Sequence, residues 1–297
     1  MGENIRAFLG ANITSRLDAA YGFEKISEIR LRADKPLILR QNGREQMDSY
    51  RPSANDIRET VERISQYSLY AFEAELAMGY ITLPGGHRVG VVGQVVLDGG
   101  LVRGWRHISG LNIRVAHCVP GCADRVLPFI FDGGQFMHTM IISPPGLGKT
   151  TLLRDIVRQI SNGANGRPGL TVGLVDERSE VAGCFQGTAQ NDVGIRTDVL
   201  DGCPKAQAMI MLLRAMSPDV IAVDELGGEQ DARAVDAVLN AGVKLLCTAH
   251  GDNVAGAMAS PTLRPVLERG IFQRFIVLNA PGKVAGVFNS EGCKHVA

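Results

Sequence analysis

The sequence predicts an α/β fold: a mostly parallel sheet with helices on both faces over residues 123–297, preceded by a smaller α+β domain over residues 1–122. Three observations predict it. From Met140 onward, apolar runs of strand length alternate with segments of helical length, the pattern of a parallel sheet with helical crossovers. Pro218-Asp-Val-Ile-Ala-Val-Asp-Glu225 holds the continuous apolar run Val220 to Val223 before it ends in acids, as expected of a strand buried on both faces, and Leu170-Thr-Val-Gly-Leu-Val-Asp-Glu177 closes with another acidic pair. Between them and the N-terminal part, Met140-Ile-Ile-Ser-Pro-Pro-Gly-Leu-Gly-Lys-Thr-Thr-Leu-Leu153 reads as strand, glycine loop and helix.

The N-terminal elements follow in order. Ser27-Glu-Ile-Arg-Leu-Arg32 alternates apolar and charged residues, which predicts a half-buried strand with Arg30 and Arg32 on its wet face. Lys35-Pro-Leu-Ile-Leu-Arg40 is its expected partner. Ser53 with Asp56 resembles a capping box, and Ile57, Val61, Ile64, Ser68, Phe72 and Leu76 then recur at helical spacing. The glycine pairs at 85–86 and 99–100 punctuate a strand-rich stretch from Tyr80 to Ala116. Cys118-Val-Pro-Gly-Cys122 reads as a linker, and a helix is expected from about Ala123 to Phe131.

In the C-terminal part, strand after strand ends in chemistry. Ser143, Pro144, Pro145, Gly146, Leu147, Gly148, Lys149, Thr150 and Thr151 are the expected triphosphate cradle. Gly146 and Gly148 let successive N–H groups point inward, and the following helix turns its positive end to the same anion. Lys149 is placed to reach the β- and γ-phosphates of ATP, and Thr150 to set its hydroxyl on Mg²⁺. The usual pattern opens with Gly where this chain has Ser143. A second acidic strand should follow, and Asp224 and Glu225 close it: Asp224 to hold Mg²⁺ or its water shell, Glu225 to orient or deprotonate the attacking water. Asp176 and Glu177 close another strand, where a catalytic role and an ion pair with a nearby Arg are equally expected. Val243-Lys-Leu-Leu-Cys-Thr-Ala-His250 ends in Thr248 and His250, which could sense the γ-phosphate or hold the water. Ile271 to Leu278 and Lys283 to Phe288 are expected to pair as a hairpin.

Composition narrows the classes. The 297 residues are 45% hydrophobic and 21% charged, which is globular rather than disordered. Lys+Arg and Asp+Glu are both 31, so no net field draws the chain to nucleic acid or an anionic membrane, and with 5% aromatics no basic tract interleaved with stacking rings is present. No apolar run approaches membrane-spanning length, and the N-terminus lacks a signal-peptide core. The six cysteines, at 118, 122, 184, 203, 247 and 293, form no zinc-like spacing and read as reduced thiols of a cytosolic protein, with Cys247 in the core.

Met211-Leu-Leu-Arg-Ala-Met-Ser-Pro-Asp-Val-Ile-Ala-Val-Asp-Glu225, Ala232-Arg-Ala-Val-Asp236 and Thr248-Ala-His250 together resemble the ATPases of type II and type IV secretion systems, including pilus-retraction motors. Asp176-Glu177 sits where that family has a further acidic box. A narrower resemblance, to sporulation ATPases of endospore-forming bacteria, is carried by Glu28-Ile-Arg-Leu-Arg-Ala-Asp-Lys-Pro36, Ile108-Ser-Gly-Leu-Asn-Ile-Arg114 and Val175-Asp-Glu-Arg-Ser-Glu180, and covers nearly the whole chain. The resemblance implies a RecA-like P-loop ATPase domain that hydrolyses ATP with Mg²⁺, with Glu225, Lys149, His250 and Glu177 as its catalytic set. It implies a homo-oligomeric ring, a hexamer, with ATP bound between subunits. Arg103, Arg106 or Arg114 would reach a neighbour's ATP. It implies a cytoplasmic motor peripheral to the membrane, docked on membrane-embedded channel proteins between mother cell and forespore, with no specific nucleic-acid partner. Asp224 departs from the many pilus motors that have Gly there and strengthens the Mg²⁺ assignment. Two other readings stay open: a nucleotide-gated scaffold with little turnover, and a nucleic-acid-dependent P-loop ATPase.

Overall fold

The computed structural model describes residues 3–23, 26–65, 76, 79–116, 119–163, 166–292 and 294–296. Its contacts divide the chain into two compact units. The first comprises Met1–His117 with Gly183–Gln190, the second Cys118–Ala182 with Asn191–Ala297, where the sequence reading divides at 122/123.

The first unit holds a six-stranded antiparallel sheet. Its strands are β1 (Ile26–Arg32), β2 (Ile38–Gln41), β3 (Arg44–Met47), β4 (Tyr80–Leu83), β5 (His87–Asp98) and β6 (Leu101–Arg114), in the order β3-β2-β1-β6-β5-β4. The alternation read in β1 is realised: Ile29 and Leu31 are buried while Arg30 and Arg32 are exposed. β2 pairs with it antiparallel, Ile29 opposite Leu39. Helices Ala11–Ala20 and Ala54–Ile64 close the core with Ile13, Leu17, Ile57 and Ile64. The capping box is present: the Asp56 N–H donates to Ser53 Oγ (3.2 Å), and the Ser53 N–H to Asp56 Oδ2 (2.7 Å). Ser68 and Phe72, expected to extend that helix, lie outside the described residues, and Leu76 is buried.

The second unit is built on an eight-stranded sheet. A two-residue hairpin, β7 (Phe131–Asp132) and β8 (Gln135–Phe136), precedes it. The sheet strands are β9 (Thr139–Ser143), β10 (Val172–Asp176), β11 (Thr197–Asp201), β12 (Val220–Val223), β13 (Lys244–His250), β14 (Arg274–Ala280), β15 (Lys283–Phe288) and β16 (Lys294–Val296). Their spatial order is β11-β10-β12-β13-β9-β14-β15-β16. The first six run parallel, and β15 and β16 add an antiparallel edge. Every residue of β9, β10 and β12 is buried, which is why those stretches read as apolar runs. Helices Lys149–Asn162, Lys205–Met216 and Glu229–Asn240 make the long crossovers.

The helix expected over Ala123 to Phe131 is absent. That segment is a series of turns with one 3₁₀ turn, Leu127–Phe129. Pro128 explains it, because its ring clashes with the carbonyl four residues back and it has no N–H to give. The Asp155 carboxylate instead takes the Ala123 N–H, at 2.8 Å.

Register then sets the site. Ser143 of β9 lies opposite His250 of β13, and Val223 of β12 opposite Cys247. Val175 pairs with Val223, so Asp176 and Asp224 leave their strands at one level. The carboxyl ends of four parallel strands thus deliver Ser143, Asp176, Asp224 and His250 to one edge of the sheet, where ligands bind in open α/β folds.

Candidate functional site

The glycine loop adopts the curl that its residues suggest. Gly146 has φ +76° and Gly148 φ +96°, left-handed values that side chains disfavour. Gly148 caps the helix that begins at Lys149. Ser143 is not among the left-handed residues, so its position makes no demand for glycine. Its side chain is buried, and Oγ donates to the Pro144 carbonyl at 2.8 Å. The loop is also tied to the β14–β15 turn, where the Gly282 N–H donates to the Leu147 carbonyl at 3.0 Å.

Lys149 is buried, and burial pulls its ammonium down from the usual lysine range while Glu225 and Asp224 oppose that pull. Nζ donates to the Ser143 carbonyl (3.3 Å) and lies 3.1 Å from His250 Nδ1. An ammonium has no acceptor, so Nδ1 must accept and the imidazole proton sits on Nε2. Nε2 in turn is 2.7 Å from Glu225 Oε1. His250 therefore joins the loop lysine to the acid that follows β12.

A second chain of bonds runs beside the first. Thr150 Oγ1 donates to Asp224 Oδ2 at 3.0 Å, and Thr248 Oγ1 donates to Asp224 Oδ1 at 2.6 Å. Thr248 also accepts the Glu225 N–H at 2.9 Å. Glu225 has φ +56°, a left-handed conformation that costs a non-glycine residue about 1–2 kcal/mol and persists where surroundings over-determine it. Its carboxylate meets Arg178 at 3.5 Å as well as His250.

Asp176 is held by backbone groups rather than by the arginine pair expected as one of its two alternatives. It accepts backbone N–H groups from Glu180, Val181 and Ala182, at 2.8 to 3.2 Å, and so shapes the loop after β10. Arg154 of the loop helix secures the same segment through the carbonyls of Val181 (2.5 Å) and Glu180 (2.7 Å). Glu177 pairs with Lys205, at 3.3 Å, rather than with an arginine. A shallow cleft is lined by Asp176, Glu177, Arg178, Glu180, Lys205, Asp224 and Glu225. Thus Lys149, Thr150, Asp224, Glu225, Thr248 and His250 form one bonded group, while Glu177 stands with Glu225 around the cleft.

Sequence reading missed Lys205. It is the first residue of its helix, after Pro204, and nothing in its local pattern marks it. Arg103, Arg106 and Arg114 are exposed in β6, and Arg103 pairs with Asp98 at 2.7 Å. Cys247 is buried in the core as expected, and Cys122, Cys184, Cys203 and Cys247 are free thiols. Among the described residues no cluster of His, Cys, Asp and Glu is of a kind to hold a metal unaided. Thr150 and Asp224 nonetheless offer adjacent hard oxygens, the donor set Mg²⁺ takes when phosphates complete its shell.

A glycine loop opening a helix, beside acids at the ends of neighbouring parallel strands, defines an α/β protein of the RecA-like P-loop class. Solved structures agree on the fold. The ATPase DotB of Legionella pneumophila aligns with TM-score 0.56 and 18% identity, over 85% of this chain and 72% of that one. The pilus retraction motor PilT with bound ADP aligns with TM-score 0.55 and 18% identity, over 91% and 78%. The family follows from sequence: residues 2–295 match the model of "Sporulation stage III, protein AA". The stage III sporulation protein AA of Bacillus subtilis (strain 168) is 41% identical over 271 residues, 90% of this chain and 88% of that protein. The chain belongs to the sporulation stage III protein AA family.

Proposed function

We propose that this chain binds ATP with Mg²⁺ and hydrolyses it to ADP and phosphate, energising a transport or secretion-like complex of sporulation. The observation that carries the reading is the bonded group at the strand ends, which joins Lys149 and Thr150 of the loop to Asp224, Glu225, Thr248 and His250. Phosphoryl transfer is chiefly positioning and charge stabilisation, and these are the groups it requires.

The backbone N–H groups of residues 146–151 receive the phosphates at the positive end of the helix. Lys149 exchanges its bonds to the Ser143 carbonyl and His250 for phosphate oxygens. Thr150 and Asp224 would hold Mg²⁺, which when bound would supply neutralisation of the phosphate charge. Glu225 orients the attacking water and takes its proton. His250, released by Lys149, keeps Glu225 in place through Nε2, while Nδ1 can accept from the water or, once protonated, donate to the γ-phosphate. Glu177 lines the same cleft as a further acid. Family membership and the secretion-ATPase fold support a ring, a hexamer, acting from the cytoplasmic, mother-cell side on membrane-embedded channel proteins. Among the described residues no helix is long and apolar enough to cross a membrane.

The test measures nucleotide binding and Mg²⁺-dependent turnover separately on the assembled protein, with its mass. Lys149→Ala should lose both. Glu225→Gln should keep binding and lose about a hundredfold or more in turnover. Ordinary turnover in Glu225→Gln would remove Glu225 from the base role. Tight binding without turnover in the wild type would make the chain a nucleotide-gated scaffold. Stimulation by single-stranded DNA that collapses with salt would make it a nucleic-acid-dependent ATPase.

A further inference from the structure

The peptide that follows Asp224 is held in an unfavourable conformation, and two elements hold it. On one side the Glu225 N–H donates to Thr248 Oγ1 (2.9 Å), and the next N–H, of Leu226, donates to the Thr248 carbonyl (3.0 Å). On the other, the Glu225 carbonyl accepts from Lys205 Nζ at 2.7 Å, a charge-assisted bond. Lys205 begins the helix Lys205–Met216, and its side chain is only 18% exposed. The same ammonium lies 3.3 Å from Glu177 Oε2, so it bridges the Glu177 carboxylate and the Glu225 peptide carbonyl. A relaxed residue would need no such clamp, whereas a left-handed glutamate does.

We propose that Lys205 is the positioning residue of this site: it fixes the Glu225 peptide in the left-handed conformation that turns the carboxylate to His250, and it balances the charge of Glu177. The proposal rests on the ATPase reading above. Lys205 bonds the Glu225 carbonyl and Glu177 rather than Lys149 or Thr150, so it acts on the placement of the base rather than on the cradle. Without the ammonium, the Glu225 carbonyl loses its partner, the peptide relaxes, and the carboxylate leaves the water it should align. Misplacement on the ångström scale costs about a hundredfold in rate.

The experiment compares Lys205→Met and Lys205→Arg in the full-length protein, each alone and with Glu225→Gln. Lys205→Met should lower kcat about a hundredfold with nucleotide Kd unchanged, and Lys205→Arg, which keeps a charged donor, should recover most of it. In the Glu225→Gln background, Lys205→Met should add no further loss, since both act through one group. A crystal structure of Lys205→Met should show residue 225 out of the left-handed region. If Lys205→Met fails to fold, Lys205→Gln takes its place with the same split expected. Unchanged kcat, a raised Kd, or a full further loss on top of Glu225→Gln would each overturn the proposal. Tight nucleotide binding without turnover in the wild type would overturn the ATPase reading instead, so the two failures are distinguishable.

Discussion

Asp176 is nearly sealed from water, and burial pushes its carboxyl up to about 6, against the opposing pull of three backbone N–H donors. The unfolded chain's carboxyl releases its proton near 3.8, so between the two values the folded state binds the extra proton. The stability this group contributes is therefore full below about pH 4 and is lost as pH rises through 6. The total is about 3 kcal/mol. A carbon-13 titration of the Asp176 carboxyl should show a midpoint near 6, and the stability of the wild type relative to Asp176→Asn should fall across that window. A midpoint near 4 would mean that the backbone donors outweigh burial. At this scale, legibility in the sequence depended on locality. Lys149, Thr150, Asp224 and Glu225 were readable because a loop, a strand and their order carry the chemistry within a few residues. Lys205 was not, because its partners lie 20 and 28 positions away, and a lysine opening a helix reads as solvated surface. Asp176 was read as half catalytic, half ion pair, since a sequence cannot show that three N–H groups will converge on one carboxylate.

The elements divide along similar lines. Buried parallel strands announced themselves as apolar runs, and β1 as alternation. β11 was missed because Thr197-Asp-Val-Leu-Asp201 is an edge strand, half-buried throughout and with two aspartates among its five residues. The helix expected at 123–131 does not form because Pro128 cannot donate within it and clashes with the preceding turn. The capping box at Ser53 is a signal that was read and is present, and its worth can be measured. Ser53 Oγ takes the Asp56 N–H and donates to Asp56 Oδ2 at 2.8 Å. Asp56 is in addition the acceptor for Asn12 Nδ2 (2.8 Å) and Tyr50 Oη (3.0 Å). Ser53→Ala should then cost about 1 kcal/mol, the usual loss of a cap. Asp56→Ala should cost more, about 2–3 kcal/mol, because it strands several part-buried donors at once. Urea unfolding with unchanged m-values reads both, and equal losses would mean that Asp56 serves the cap alone.

For the whole molecule, the two units each bury an apolar core of their own. In the first, Ile29, Leu31, Leu39, Ile57, Leu111 and Ile113 are fully or nearly fully buried. In the second, Met140, Ile142, Ile221, Val223, Val235 and Leu245 are. Both units are of a size that sustains an independent core, and the candidate nucleotide site belongs wholly to the second. Calorimetry should accordingly resolve two transitions that answer to different perturbations. Ile29→Ala deletes buried methylene groups from the strand between β2 and β6, at a cost of about 2–5 kcal/mol, and should lower only the first unit's transition. A slowly hydrolysed ATP analogue with Mg²⁺, at a hundred times its Kd, should raise only the other by about 2.7 kcal/mol, since binding stabilises the unit that holds the site. Lys149→Ala should abolish that rise and leave the Ile29→Ala effect intact. A single transition moved by both perturbations would show that the two cores unfold as one, and a rise confined to the first unit would place the nucleotide elsewhere than at the strand ends of the second.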